Sequence, residues 1–275
     1  MKIRFYNLFP LLVFMASLIS CAFAALCFYL FLQGGDFAII KPNPSIFPTG
    51  FQWTSFFRMA FIGRILLLQF YVFCTSLFLL FLCRKRYIPG AFYLLLFVAG
   101  WLFEAPKALV PLYGNALFLS DMSFVSNLSY FGHYMRMSAL LFFTLHEAGM
   151  IKQYSNKWQM ALFVVFFVIF RFLRLDVSYM NPTGLLHVSN MGLVSGFTIA
   201  CFLFTVVIRF LMLINPKMQG GEAIDFLAAI LIFVVSNILF LQWETWELFI
   251  GLGVLCVLTI RILYNLCRQY RWFAD

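Results

Sequence analysis

Eight long apolar stretches dominate the sequence and limit what it can fold into. They cover about 8–32, 59–83, 89–112, 124–148, 158–178, 190–213, 223–242 and 246–266. Each is close to the roughly 20 residues that an α-helix needs to cross the hydrocarbon core of a bilayer. All are much longer than the roughly ten alternating residues of a transmembrane β-strand. We therefore predict an all-α fold: a polytopic integral membrane protein whose residues 1–275 form one domain of eight transmembrane helices.

The composition excludes a water-soluble domain. Apolar residues make up 64% of the 275 residues and charged residues only 11%, whereas about a quarter of a soluble domain is charged. The longest connection between the predicted spans is 33–57, which is too short for a folded domain of its own. The protein is therefore expected to act within the bilayer or through a membrane protein partner.

The basic residues predict the orientation of the chain. If the N-terminus is cytoplasmic, the outer side carries only Lys41 and Arg58. The inner segments and inner helix ends then carry Lys2, Arg4, Arg84, Lys85, Arg86, Lys152, Lys157, Arg209, Lys217, Arg261, Arg268 and Arg271. By the positive-inside rule, both termini are predicted to be cytoplasmic, and we expect a bacterial inner (plasma) membrane. The net charge of +9 then indicates contact with membrane lipids and no nucleic-acid partner.

Five cations remain inside predicted spans, where ionisable residues are costly and are functional candidates by default. Two acidic residues accompany them, Glu104 and Asp176. In the predicted topology all seven charges lie between the bilayer midplane and the outer surface. The five cations are Arg64, Lys107, Arg136, Arg171 and Arg174.

Helical spacing places these polar residues in pairs. Residues three apart share a helix face, and three such pairs occur: Glu104 with Lys107, His133 with Arg136, and Arg171 with Arg174. Pro106 is expected to kink its helix and to free a backbone carbonyl. His187 is predicted at the same depth, where the chain enters the sixth span. Glu104 is expected either to pair with Arg136 or Arg64 as a structural bridge, or to orient a cationic site.

The cysteine and histidine patterns predict no cofactor and no metal. The seven cysteines include no CxxC pair, which argues against a disulfide framework or a zinc site. His146-Glu147 lacks the second histidine of a zinc-protease motif, because residue 150 is methionine. Haem held by His133 and His187 is a minor alternative. Gly192 and Gly196 form a GxxxG pair, a spacing that allows close helix approach.

One segment resembles a known enzyme family. Arg171-Phe172-Leu173-Arg174 followed by His187 resembles the arginine and histidine motifs of the exosortase family. The resemblance implies a membrane transpeptidase whose nucleophilic cysteine precedes the arginine. Residues 84–200 contain no cysteine, so the chain departs from that pattern at the nucleophile and we do not adopt the assignment.

Three functional classes follow from these residues. In the first, the five cations bind or transport an anionic solute or lipid headgroup from the outer side, because arginines bind phosphate and carboxylate groups in a bidentate manner. Glu104 and Asp176 would orient the cations, and His133 and His187 would support them. The second class is a scaffold or sensor-like subunit that acts through a partner, its charges being structural. The third is an enzyme that acts on a lipid-linked substrate.

Overall fold

The computed structural model describes residues 2–33, 55–85, 89–110, 119–149, 164–165, 168, 175–180, 185–188, 191–214, 223–241 and 245–271. These residues form seven long helices and a two-stranded sheet. The helices are α1 (Lys2–Gln33), α2 (Ser55–Lys85), α3 (Pro89–Leu102), α4 (Leu119–Glu147), α5 (Met191–Ile214), α6 (Ala223–Leu241) and α7 (Thr245–Arg271). A 3-10 turn, Ala105–Ala108, follows α3, and the strands are β1 (Leu175–Met180) and β2 (Leu186–Val188).

Five of the helical segments are long and apolar enough to cross a membrane. They are Leu8–Gln33, Met59–Cys83, Gly90–Ala108, Val194–Ile214 and Phe249–Arg268. A shorter apolar helix covers Ile224–Phe240. The prediction of a helical integral membrane protein is confirmed at this level, while eight spans and two cytoplasmic termini stay predictions.

The fifth predicted span, 158–178, differs from the structure at its C-terminal end. Residues 164, 165 and 168 are helical, but the chain is extended from Leu175 onward. β1 pairs with β2 in an antiparallel register that places Asp176 opposite His187. The prediction of helix over 175–178 is therefore wrong. The physical reason is visible in the sequence, because apolar and polar residues alternate from Leu175 to Ser178 with the period of a strand.

The centre of the molecule is an antiparallel pair of helices, α3 and α4. The α3 span is 83% buried, whereas the α1 span is 22% buried. The Tyr93 and Phe142 rings stack at 6.2 Å near one end of the pair, and the Phe103 and Phe131 rings meet at 5.2 Å near the other. The polar residues of α4 are therefore held inside the bundle.

Two glycines allow α3 and α4 to approach closely. A Cβ atom at Gly100 would lie 2.6 Å from Cγ of Arg136 and 2.7 Å from the carbonyl oxygen of Gly132. Small residues at helix crossings permit this kind of backbone approach in membranes. The GxxxG glycines of α5 are different, since a Cβ at Gly192 or Gly196 would have no atom of the described residues within 4 Å.

Candidate functional site: a buried cluster of charges

Glu104 is the centre of a group of buried charges. Nζ of Lys107 lies 2.5 Å from Oε2 of Glu104, and Nη1 of Arg136 lies 3.0 Å from Oε1. All three residues are almost completely buried. Charges in such an environment persist only when they are paired and hydrogen-bonded. We call this group, together with Arg64 and His133, the Glu104 cluster.

The break after α3 explains why this cluster forms where it does. Pro106 has no N–H, and its ring clashes with the carbonyl four residues earlier, which is that of Leu102. The helix α3 ends at Leu102 for this reason. The N–H of Glu104 then donates to the carbonyl of Trp101 at 3.1 Å. In a continued α-helix that N–H would have bonded to Gly100, so the carbonyl of Gly100 is released.

Residues of α4 take up the released carbonyls. Nη1 of Arg136 donates to the carbonyl of Gly100 at 3.2 Å, and the Ser129 hydroxyl donates to the carbonyl of Phe103 at 3.3 Å. The kink expected at Pro106 takes the form of the end of α3, and the carbonyls of Gly100 and Phe103 beside this break accept from side chains of α4. The interrupted helix therefore supplies acceptors to the helix that carries the buried arginine.

Arg136 retains unused hydrogen-bonding capacity. Its guanidinium carbon lies 3.7 Å from the ring centroid of Trp101, a cation–π contact. The side chain is fully buried. Its Nε and Nη2 atoms have no hydrogen-bond partner among the described residues. Buried donors normally find partners, so two unpaired donors on one buried guanidinium require an explanation.

Phe240, from α6, closes the cluster on another side. Its ring lies 4.9 Å from Nζ of Lys107 and 5.4 Å from the guanidinium carbon of Arg136. The imidazole of His133 stacks on it at 4.1 Å. The aromatic ring thus brings residues of three segments together, and its face is attractive to both cations.

The hydrogen bonds of His133 define its tautomer. Its Nε2 lies 3.2 Å from Oγ1 of Thr198 on α5. Thr198 has one hydroxyl proton, which it donates to the carbonyl of Val194 at 2.9 Å, so its oxygen accepts from Nε2–H. Nδ1 of His133 is left as a buried acceptor without a partner among the described residues.

Arg64 joins the cluster from α2. Its Nη2 donates a hydrogen bond to the carbonyl of Leu239, next to Phe240. That carbonyl lies in the last turn of α6, where helical carbonyls have no partner within the helix and a cation is favourable. Arg64 also interacts electrostatically with Glu104 and with Lys107. Arg64 therefore adds a third cation to the neighbourhood of Glu104.

The remaining predicted site residues are placed differently. Arg171 and Arg174 lie outside the described residues. The backbones of Asp176 and His187 face each other in the sheet, and both strands contact α4. The structure thus brings together Arg64, Glu104, Lys107, His133 and Arg136, while Asp176 and His187 meet in a second place.

A second set of ion pairs was not predicted from the sequence. Arg209 on α5 pairs with Glu147 at the end of α4, and its side chain is 3% exposed. Asp225 on α6 accepts from Nε of Arg261 at 3.4 Å and from Nδ2 of Asn265 at 2.5 Å, both on α7. The interpretation of Arg209 and Arg261 as orienting charges alone is therefore incomplete. The sequence did contain a signal for these pairs, because Glu147 and Asp225 are acidic residues in neighbouring helices.

No group of three or more His, Cys, Asp or Glu side chains suited to a metal ion occurs among the described residues. Nor does comparison with known proteins add an assignment, because no protein-family model, no curated protein and no solved structure matches this chain.

Proposed function

We propose that the Glu104 cluster binds an anionic group within a multi-pass protein of a bacterial inner membrane, as part of the transport or handling of an anionic solute or lipid headgroup. One observation carries the proposal: Arg136 is fully buried, and its Nε and Nη2 have no partner among the described residues. A phosphate, phosphate ester or carboxylate has the oxygen acceptors that fit adjacent guanidinium donors.

The charge balance supports an anionic ligand. Lys107 and Arg136 share the single carboxylate of Glu104, so a bound anion would neutralise the positive charge that remains on this pair. His133 would contribute a buried acceptor at Nδ1, which suits a ligand that carries a proton, such as a monoprotonated phosphate. Lys107 and Arg64 would add positive potential in a region of low dielectric, where charge–charge interactions are strong.

The proposal is tested by equilibrium binding of radiolabelled inorganic phosphate and sulfate to the purified protein. Arg136→Gln is expected to weaken binding at least tenfold, since a hydrogen bond to a charged group contributes about 1.5–3 kcal/mol. Glu104→Gln is expected to strengthen it by removing the competing carboxylate. Arg209→Gln is the matched control, because it removes a buried arginine that is also paired with one glutamate.

Two further measurements separate the possible ligands. Competition by a short-chain phosphatidic acid distinguishes a lipid headgroup from a free solute, and uptake into proteoliposomes distinguishes transport from binding alone. A binding measurement on the wild-type protein alone can overturn the proposal. If it shows no saturable binding of these anions, or if Arg136→Gln and Arg209→Gln have equal effects, the cluster is a structural ion-pair network.

A further inference from the structure

A groove on the surface of the bundle runs between α2 and α7 and has a volume of about 600 Å³. Its rims are formed by large exposed side chains, which are Phe70 and Phe78 of α2 and Ile260 and Tyr264 of α7. None of these residues belongs to the Glu104 cluster. The groove is therefore a separate feature of the molecule.

The floor of the groove has no polar group in need of a ligand. The Thr259 hydroxyl donates to the carbonyl of Leu255 at 2.7 Å, so its oxygen accepts from the hydroxyl of Tyr71 at 2.8 Å. Both side chains are buried, and Leu263 lies beside them. Because these hydroxyls satisfy one another, the surface offered to an occupant is apolar. Hydrocarbon is the chemistry that fits.

The groove is long enough to hold an acyl chain across one leaflet of a bilayer. On α7 its lining residues run from Leu252 to Cys267, about 22 Å at 1.5 Å per residue. Half of a typical hydrocarbon core is about 15 Å thick. A single acyl chain of one leaflet can therefore lie along the groove from end to end.

Basic residues collect at one end of the groove. α2 ends with Arg84 and Lys85, and α7 ends with Arg268 and Arg271 nearby. The two ends lie on the same side of the molecule, because a Cβ at Gly90, five residues after Lys85, would be 3.0 Å from Leu266. Clustered cations beside a membrane helix attract anionic lipid headgroups.

We propose that this groove binds one anionic phospholipid, whose acyl chain lies between α2 and α7 and whose phosphate lies at the basic helix ends. The apolar lining selects the chain, and the basic helix ends, with Arg268 at the end of α7, select the charge of the headgroup. This site is independent of the anion site proposed for the Glu104 cluster, so either can fail alone.

Native mass spectrometry of the full chain tests the site after reconstitution in equal amounts of phosphatidylglycerol and phosphatidylcholine with the same acyl chains. The wild type is expected to retain phosphatidylglycerol preferentially. Cys256→Phe fills the groove and is expected to reduce retained lipid at least fivefold. Val257→Phe is the control, since Val257 is the next residue, is 65% exposed and does not line the groove.

The headgroup is tested with Arg268→Gln, which is expected to reduce the preference for phosphatidylglycerol about fivefold. Arg4→Gln is its control, because it removes a positive charge from α1, and no residue of α1 lines the groove. Equal retention of the two lipids by the wild type, or equal losses in a variant and its control, would overturn the proposal.

A measurement on the wild type alone covers the case in which Cys256→Phe does not fold. Phosphatidylglycerol with a photoreactive group at the middle of its acyl chain is expected to crosslink to residues within 70–78 of α2 and within 256–264 of α7. Crosslinks spread evenly over exposed helices such as α5 would refute a specific site. A dimer mass without bound lipid would show that a second copy fills the groove. No crosslinks in the groove would show that lipid does not occupy it.

Discussion

Nη1 of Arg136 lies 3.0 Å from Oε1 of Glu104, although the two residues are 32 positions apart in the chain. The arginine comes from the middle of α4, and the glutamate comes from the turn after α3. Removing two charges from water is expensive, and mutual attraction compensates only when the geometry is good and further hydrogen bonds are present. Here Gly100, Trp101 and Lys107 supply those contacts.

A double-mutant cycle on this pair measures how strongly the two charges depend on each other. Glu104→Gln is expected to lower the free energy of unfolding by about 3–5 kcal/mol, because it leaves Lys107 and Arg136 buried without their carboxylate. Arg136→Gln is expected to cost less, because Glu104 keeps its ion pair with Lys107. The double variant is expected to lose less than the sum, with a coupling of about 0.5–3 kcal/mol. Denaturant unfolding of the wild type and the three variants in the same detergent measures these free energies. Additive losses would contradict a direct interaction.

The crossing of α3 and α4 gives a second prediction. Gly100→Ala places a methyl group 2.6 Å from Cγ of Arg136, so the helices must separate or the arginine must move. Overpacking of this kind costs about 1–3 kcal/mol. Gly192→Ala is the matched control, because a Cβ there has open space and alanine favours a helix over glycine by about 0.5–1 kcal/mol. Equal unfolding temperatures for the two variants would count against the close crossing.

The helices could largely be predicted from the sequence, since the length of an apolar run is a direct physical constraint in a bilayer. The predicted spans 190–213 and 223–242 end within one residue of α5 and α6. β1 was missed because its residues continue an apolar stretch. The alternation from Leu175 to Ser178, followed by Pro182 and Gly184, was the available signal for a hairpin.

The cluster could be predicted only in part. The pairing of Glu104 with Lys107 follows from their spacing of three residues, and the sequence predicts a bridge from Glu104 to either Arg136 or Arg64. The contributions of Phe240 and Thr198 depend on how α5 and α6 pack against α4. Such contacts join residues far apart in the chain, and apolar periodicity contains no information about them. The glycines of the α3–α4 crossing, Gly100 and Gly132, have no motif around them, whereas the GxxxG glycines have a motif and no neighbour among the described residues.

The two newly found ion pairs are expected to differ strongly in their effect on stability. Arg209→Met leaves Glu147 largely buried and without its partner, so a loss of about 3–5 kcal/mol is expected. Arg261→Met breaks a pair at 3.4 Å whose side chains are 31% and 19% exposed, and such pairs contribute about 0–1 kcal/mol. Chemical denaturation of both variants under the same conditions makes the comparison. Similar losses would show that burial does not set the cost here.

The hydrogen bond from His133 to Thr198 links α4 to α5, and its contribution can be isolated with a matched pair of threonines. Thr198→Val removes the acceptor of Nε2–H and leaves a buried donor unpaired, which costs about 1–3 kcal/mol. Thr205→Val, about two turns further along α5, removes only a hydroxyl that bonds to the carbonyl of Cys201 within its own helix. Thermal unfolding should therefore show a clear loss for the first variant and little change for the second. If both variants unfold at the same temperature, the imidazole has another partner and the tautomer assigned from Thr198 is wrong.

Binding of inorganic phosphate by the Thr198→Val protein adds an independent readout. Without Thr198, the imidazole proton of His133 can move from Nε2 to Nδ1. Nδ1 then no longer accepts a hydrogen bond, so the binding of monoprotonated phosphate is expected to weaken more than the binding of sulfate.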